Sequence, residues 1–290
     1  MSTEKPTHEY RLDLGGTVIA FHCFPPPFGE FLGRWFDRPS CPENAHIDLE
    51  LELIPHEESL RLPNTLLKSK TLTGDGGFDI DDGLFRGFYN PGQRRGRIEA
   101  KAILARGQLM RVMEQIFYQA FFSARQVSGR DSIMIHSSAV IAGGQGFLFV
   151  GPSEAGKSTV ARLSGNHHVL GDEMNLVHFT DGSPVLEGTA FNGTFRDKKS
   201  GSAPLRAVFL LNQAPHHAVS PIGSAHAGSL LAAEVVPPVG LDQIPDSGTV
   251  PAMVDAAARL IAAVPVSRLD FLPDAGFWSV IAEHHGLALT

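Results

Sequence analysis

The stretch that decides the fold is Gly151-Pro152-Ser153-Glu154-Ala155-Gly156-Lys157-Ser158-Thr159, which fits the phosphate-loop pattern G-x-x-x-x-G-K-[ST] at every fixed position. The apolar run Phe147–Val150 before it predicts a buried strand, and Thr159–Leu163 after it predicts the start of a helix. In this order, backbone N–H groups and the positive end of the helix face phosphate oxygens. The stretch therefore predicts a nucleoside triphosphate site, with ATP as the expected nucleotide.

Two side chains of the loop are expected to interact with the phosphates and the metal. Lys157 brings an ammonium to the β- and γ-phosphates, and Ser158 offers a hydroxyl to Mg²⁺. ATP and Mg²⁺ are therefore the expected cofactors. The loop residues expected to bind them are Gly151, Ser153, Ala155, Gly156, Lys157, Ser158 and Thr159. A chance match in a glycine-rich loop is the alternative, and the flanking strand and helix patterns argue against it.

Apolar periodicity outside the loop predicts two parts of different character. Ile47–Ile54 alternates with period two, as a half-buried strand does, and Leu109–Arg125 carries an apolar stripe at helical spacing. From Ser132 onward, strand and helix patterns alternate around the phosphate loop, which indicates an α/β core. We expect an N-terminal β-rich domain with a closing helix over residues 1–128 and an ATP-binding domain over residues 129–290.

Composition and charge narrow the classes of function. The chain has 290 residues, of which 43% are hydrophobic and 19% charged, as is typical of a folded globular protein. Lys plus Arg number 24 against 31 Asp plus Glu, and the net charge of -7 disfavours a nucleic-acid partner. The first residues lack an apolar signal core, and no run approaches the ~20 apolar residues of a membrane span. We expect a cytoplasmic protein with neither a nucleic-acid nor a membrane partner.

Phosphoryl transfer also requires carboxylates, for Mg²⁺ and for the proton of an acceptor hydroxyl. In ordinary phosphate-loop proteins an acid ends a later apolar strand, but Ala207–Leu211 is followed by Asn212-Gln213. The pair Asp172-Glu173 comes earlier, after the short apolar stretch Val169-Leu170. We interpret this pair as functional rather than as an exposed turn. On residue pattern alone, His136 is more typical of a structural histidine than of a catalytic one.

The stretch Ile135–Thr159, followed by Leu170-Gly171-Asp172-Glu173, resembles the HPr kinase/phosphorylase family. That family has a histidine on the strand before a Walker A loop and an acidic pair shortly after the loop. The resemblance covers about residues 135–175 specifically and continues more weakly through Pro204–Leu211 and Val264–Leu272. These later stretches are similar to the shorter HPr-kinase-related proteins found among peptide-modification genes. Residues 1–125 do not match the N-terminal domain of the HPr enzyme.

The resemblance implies a fold and a set of roles. The fold is α/β, with a phosphate-loop core like that of HPr kinase and phosphoenolpyruvate carboxykinase beside the N-terminal β-rich domain. By position, Asp172 matches the general base, and His136 and Lys157 complete the catalytic set. The implied metal ligands are Ser158, Asp172 and Glu173.

Three departures from the family pattern affect these expectations. Glu154 stands where many members have glycine, and it adds a negative charge close to the phosphates. Glu173 stands where the family usually has aspartate. The family's downstream glycine-rich segment has its nearest counterpart in Gly188–Thr194. The reverse phosphorylase reaction and HPr itself as substrate are therefore not expected.

The implied reaction transfers the γ-phosphoryl group of ATP to a hydroxyl of a peptide or protein, a serine on a small precursor peptide being one candidate. Arg94, Arg95, Arg97 and Lys101 would suit an acidic acceptor in the N-terminal domain, although a solvated basic loop is the plainer interpretation. Two alternatives stay open: a catalytically inactive nucleotide-binding regulatory protein, and a phosphate-loop NTPase without an acceptor. The sequence also leaves open ATP versus GTP and whether the chain forms a homo-oligomer.

Thermal unfolding with and without Mg-ATP tests the loop directly. A ligand at 100 times its Kd stabilises the folded chain by about 2.7 kcal/mol, which raises the unfolding temperature of a chain of this size by several degrees. We expect this shift in the wild type and its loss in Lys157→Ala. The absence of any shift in the wild type, at millimolar ATP or GTP, would contradict the nucleotide site.

Overall fold

A computed structural model describes residues 7–36, 39–54, 70–73, 77–81, 85–101, 121, 131–180, 182–191, 193–236 and 249–287. These residues form fifteen strands and five helices in a mixed α/β arrangement, as the sequence predicted for the class of fold. The chain divides into two compact units with the principal boundary between Arg130 and Asp131. The predicted helix over Leu109–Arg125 lies outside the described residues, apart from Phe121.

The first unit is built on a seven-stranded sheet with the order β1-β2-β3-β7-β6-β5-β4. β2, β3 and β7 are parallel neighbours, and the remaining pairs are antiparallel. β3 begins and ends where the period-two alternation predicts it. The strands are β1 (His8–Asp13), β2 (Val18–Phe24), β3 (Ile47–Ile54), β4 (Lys70–Leu72), β5 (Phe78–Asp81), β6 (Phe85–Asn90) and β7 (Arg95–Lys101).

One face of this sheet is apolar and packs against α1 (Pro26–Phe36). Phe28, Leu32 and Phe36 of the helix are buried, and the Phe36 ring stacks on Tyr10 with the ring centroids 6.3 Å apart. The sequence did not predict α1, whose first residues lie in a stretch of three prolines at positions 25 to 27. Instead β2 continues to Phe24, and the helix begins at Pro26, where a missing N–H costs no hydrogen bond.

The opposite face of the sheet carries a ladder of charges between β3 and β7. Arg95 contacts Glu50 at 2.6 Å, and Arg97 contacts Glu52 at 3.0 Å and Glu99 at 3.1 Å. Period-two alternation places all these side chains on the solvent side of neighbouring strands. Two of the arginines that were candidates for holding an acidic acceptor therefore lie on a strand rather than in a basic loop, and both are already paired with carboxylates.

The second unit is built on an eight-stranded sheet that runs β10-β8-β11-β12-β13-β15-β14, with β9 paired to both β13 and β8. Its strands are β8 (Ser132–Ala142), β9 (Gln145–Val150), β10 (His168–Gly171), β11 (Met174–His178), β12 (Val185–Gly188), β13 (Ser202–Gln213), β14 (Ala218–Pro221) and β15 (Val266–Phe271). Its helices are α2 (Lys157–Leu163), α3 (Ser224–Glu234), α4 (Thr249–Ala263) and α5 (Phe277–His285). Among the described residues, no helix is both long enough and apolar enough to cross a membrane.

β9 lies at the centre of the second unit. It pairs parallel with β13, which pairs parallel with β15, and it pairs antiparallel with β8. β8, β11, β12, β13 and β9 pair in succession and close on themselves, because β9 returns to β8. Leu148 and Val150 of β9 belong to a core cluster with α3 and α4, and Phe147 and Phe149 belong to a second cluster with α2 and α5. Burial on both faces explains why this strand is a continuous apolar run.

A pair of leucine substitutions tests this arrangement in a Trp35→Phe background, where Trp278 reports unfolding of the second unit. Leu148 is fully buried in β9, whereas Leu230 on α3 is 37% exposed. We expect Leu148→Ala to lower the free energy of unfolding by about 2–5 kcal/mol through lost contacts and a cavity. The matched change Leu230→Ala should cost less than about 1 kcal/mol in urea denaturation. An equal loss of unfolding free energy in the two variants would contradict the buried position of β9.

Candidate functional site

The phosphate-loop stretch joins the carboxyl end of β9 to α2. Gly156 precedes the helix with φ 110° and ψ 15°, a left-handed conformation that favours glycine. A Cβ on Gly156 would lie 2.6 Å from the ring of Phe271, and a Cβ on Gly151 would lie 2.7 Å from the Cβ of Ala155. The side chain of Gln213 donates to the carbonyl oxygen of Glu154 at 2.7 Å. The two fixed glycines are thus required by close packing of the loop against itself and against β15.

Lys157 lies at the centre of the candidate site. Its side chain is only 7% exposed, and its Nζ donates to the carbonyl oxygens of Gly151 at 2.6 Å and Pro152 at 3.1 Å. Burial lowers the pKa of Lys157 from its ordinary value, while the carboxylates of Glu234, Glu173 and Asp172 act in the opposite direction. The lysine ammonium is therefore folded over the loop and faces a group of three acids.

His136 lies on β8 between two of these acids. Its Nδ1 is 3.1 Å from Oε2 of Glu234, and its Nε2 is 3.7 Å from Oε2 of Glu173. The pairing of β8 with β11 places Met174 opposite His136, and the N–H of Ser137 donates to the carbonyl oxygen of Glu173 at 2.9 Å. The backbone pairing thus brings the acidic turn to the histidine, although the two are far apart in sequence.

Asp172 occupies the turn between β10 and β11 and is 3% exposed. Its Oδ2 accepts hydrogen bonds from the N–H groups of Thr194 at 3.1 Å and Phe195 at 3.0 Å, and from the Thr194 hydroxyl at 3.2 Å. Its Oδ1 is buried and has no hydrogen-bond partner within the described residues. A Cβ on Gly193 would lie 2.7 Å from the Cγ of Asp172. The glycine-containing segment noted in the sequence therefore lies directly against this carboxylate.

The remaining loop residues of the candidate set lie at the loop tip and in the first turn of α2. Ser153 is exposed and Ala155 is half-buried. Ser158 and Thr159 follow Lys157 in the helix, and the Thr159 hydroxyl accepts a hydrogen bond from Arg162 at 3.0 Å. The structure thus joins His136 and Lys157 to the acidic turn, while the Thr159 hydroxyl is engaged within the helix.

The acids and the loop hydroxyl are compatible with a hard cation that is also bound by phosphate oxygens. In the described part of the chain, no group of three or more His, Cys, Asp or Glu side chains is arranged to hold a metal ion. The expected set contains two such residues, Asp172 and Glu173, together with the hydroxyl of Ser158. Mg²⁺ in phosphate-loop sites commonly has few protein ligands and takes others from phosphate and water. The unpartnered Oδ1 of Asp172 leaves that carboxylate open to one further partner, a metal ion or a hydroxyl, because a buried carboxylate oxygen without a partner is costly.

Glu234 is a member of the site that the sequence did not indicate. It is the last residue of α3, and its Oε2 lies 3.9 Å from Nζ of Lys157 as well as 3.1 Å from His136. α3 is composed mainly of Ala, Ser and Gly with few large apolar residues, so no apolar stripe marks it as a helix. No spacing from the phosphate loop identifies this glutamate either, because it reaches the site through tertiary packing.

Comparison with known proteins gives one family. The family model described as "SynChlorMet cassette protein ScmC" matches residues 104–285, more than half of the chain, and this range contains every residue of the site. No curated protein matches the chain at a significant level.

The loop also contains a residue in an unfavourable backbone conformation, which gives a stability test. Glu154 has φ 68°, in the left-handed region where a Cβ is crowded. Glu154→Gly removes the Cβ and the charge, whereas Glu154→Ala removes the charge and keeps the Cβ. We expect the glycine variant to be more stable than the alanine variant by about 1 kcal/mol in thermal or urea unfolding. Equal stability of the two variants would show that the conformation at this position is not strained.

Proposed function

The chain belongs to the ScmC family of SynChlorMet cassette proteins, and we propose that it is an ATP-dependent kinase that transfers the γ-phosphoryl group to a hydroxyl. The observation that carries the proposal is the buried Asp172 carboxylate, which keeps one oxygen unpartnered in the same cluster as the phosphate-loop Lys157. A loop for phosphates and a buried acid with a free oxygen are the two parts that in-line transfer to a hydroxyl requires. The resemblance to serine kinases supports a serine of a peptide or protein as acceptor.

We also propose that the second unit has the core shared by HPr kinase and phosphoenolpyruvate carboxykinase. Two placements support this proposal. The acidic pair lies in the turn between β10 and β11, and the histidine lies on β8, the strand that precedes β9. β13, where an ordinary phosphate-loop protein would carry its acid, ends in Asn212 and Gln213.

In the proposed mechanism, each side chain has a role that follows from its environment. Bound Mg-ATP supplies the γ-phosphoryl group, with Mg²⁺ neutralising part of its charge. Lys157 donates to phosphate oxygens and stabilises the negative charge that develops during transfer. Ser158 and Glu173 would hold the metal, so that Oδ1 of Asp172 stays available to the acceptor hydroxyl. His136, whose Nδ1 contacts Glu234, lies beside Glu173 at the edge of the site.

Asp172 is the proposed base. Its Oδ2 accepts hydrogen bonds from the N–H groups of Thr194 and Phe195 and from the Thr194 hydroxyl, so the carboxylate cannot rotate freely. The acceptor hydroxyl would therefore deliver its proton to Oδ1. Orientation of this kind matters because a general base must lie within hydrogen-bond reach of the proton it removes.

A nucleotide-binding protein without catalysis is the second candidate, and two observations favour it. Glu154 combines a strained backbone with a negative charge in the loop, and the charge opposes phosphate binding. Lys157 already donates to two loop carbonyl oxygens, which leaves one of its three N–H donors for a phosphate. This candidate predicts binding of Mg-ATP with neither transfer nor turnover.

The substitution Asp172→Asn distinguishes the proposed kinase from a nucleotide-binding protein without catalysis. The amide oxygen can accept the same hydrogen bonds from Thr194 and Phe195, while the amide nitrogen replaces the free oxygen and cannot take a proton. We expect phosphate transfer from radiolabelled ATP to a serine-peptide library to fall by about 10²–10⁴-fold, the range that general bases contribute. Binding of Mg-ATP by calorimetry should remain close to that of the wild type.

The controls for this prediction are the wild type and Lys157→Ala. Transfer that survives in Asp172→Asn would show that Asp172 is not the base. Tight binding of Mg-ATP by the wild type, without label on any peptide or loss of ATP, would instead favour the nucleotide-binding candidate.

A further inference from the structure

Glu234 joins two parts of the site that no motif connects. Its side chain is 12% exposed, and a single oxygen, Oε2, lies 3.1 Å from Nδ1 of His136 and 3.9 Å from Nζ of Lys157. The histidine belongs to β8 and the lysine to the phosphate loop, so the glutamate lies within 4 Å of a charged or titratable side chain from each. Neither the phosphate-loop pattern nor the family resemblance assigns it a role.

The backbone at Glu234 is held independently of its side chain. α3 ends at this residue, Val235 forms a β-bridge with Ile135, and the N–H of Val236 donates to the carbonyl oxygen of Met134 at 2.9 Å. Leu231, one turn earlier, is fully buried in the core. Substitution of the Glu234 side chain should therefore alter the site while α3 remains in place.

The contact with His136 determines which ring nitrogen faces the site. The carboxylate of Glu234 approaches one ring nitrogen more closely than the other. The 3.1 Å contact is to Nδ1, which leaves Nε2 on the side of Glu173, 3.7 Å away and beyond hydrogen-bond distance. Glu234 thus lies where it can orient the ring, as carboxylate partners do for functional histidines elsewhere.

The contact with Lys157 provides the nearest opposite charge for a buried ammonium. The two hydrogen bonds of Nζ go to neutral carbonyl oxygens, and a buried charge is costly unless it is paired. Among the acids that act on this lysine, Glu234 has the largest effect.

We propose that Glu234 is a positioning residue, which holds the His136 ring and the Lys157 ammonium in one fixed arrangement for phosphoryl transfer. This inference rests on the proposed function for its catalytic consequence, but its structural part does not depend on that function. Glu234 acts through His136 and Lys157 and does not itself contact the nucleotide or the acceptor.

The first experiment is nitrogen-15 NMR of the histidine rings in the wild type, Glu234→Ala and Glu234→Gln. His136→Asn identifies the signal of His136. We expect the ring-nitrogen shifts of His136 to change in the alanine variant, because a carboxylate 3.1 Å from Nδ1 is lost, and to change less in the glutamine variant, whose side chain has the same length. His178, which contacts Glu187 at 2.7 Å, provides a control in the same spectra and should not change. An unchanged His136 signal in Glu234→Ala overturns the inference.

The second experiment measures transfer from radiolabelled ATP in the same variants and in Glu234→Asp. We expect kcat to fall about 10- to 100-fold in Glu234→Ala, the usual cost of losing a carboxylate that orients a histidine. KM for Mg-ATP should change much less, and Glu234→Asp should recover part of kcat. Glu283→Ala, at an exposed position on α5, is the matched control and should have wild-type kinetics. A wild-type kcat in Glu234→Ala overturns the positioning role.

The two proposals fail in different ways. Absence of transfer by the wild type contradicts the proposed kinase function. The NMR comparison of the wild type with Glu234→Ala decides whether Glu234 fixes His136 in either case, because it requires neither nucleotide nor acceptor.

Discussion

β9 is hydrogen-bonded on both edges and covered on both faces, and this constraint determines where the site can form. Its backbone pairs with β8 and β13, while its side chains enter two different core clusters. The chain that leaves the strand at Val150 therefore starts from a fixed point. The loop that follows must turn at once, and it does so with Gly151 against Ala155 and Gly156 against Phe271. A rigid strand beneath a tight loop is the arrangement that holds backbone donors ready for an anion.

Charge in the site is gathered from elements that are distant in sequence. β8 contributes His136, α2 contributes Lys157, the β10–β11 turn contributes Asp172 and Glu173, and α3 contributes Glu234. One buried ammonium faces three carboxylates. Such an excess of negative charge is unfavourable where carboxylates are largely buried, as those of Asp172 and Glu234 are, unless a cation or proton donor joins it. This imbalance, together with the open oxygen of Asp172, is the physical reason to assign a ligand to the cluster rather than a purely structural role.

Glu154 and Gly193 show opposite ways in which backbone geometry limits this site. Glu154 accepts a left-handed conformation with a Cβ present, so the loop keeps its shape at a cost in stability. At Gly193 the absence of a Cβ allows the chain to pass directly over the Asp172 carboxylate, which brings the next two N–H groups to its Oδ2. The chain tolerates strain at Glu154, whereas Gly193 avoids a clash that would displace the Asp172 carboxylate.

The sequence by itself determined the phosphate-loop stretch, the strand and helix around it, β3, and the α/β class. These features are local: fixed spacing within nine consecutive residues, a run of apolar residues, or period-two alternation. Tertiary structure alone decided that Arg95 and Arg97 pair with Glu50 and Glu52, and that Asp172 is held by Thr194 and Phe195. It also decided that Glu234 meets His136 and Lys157. These contacts depend on which strands pair and where α3 ends, and long-range pairing leaves no periodic mark in the residues that it joins.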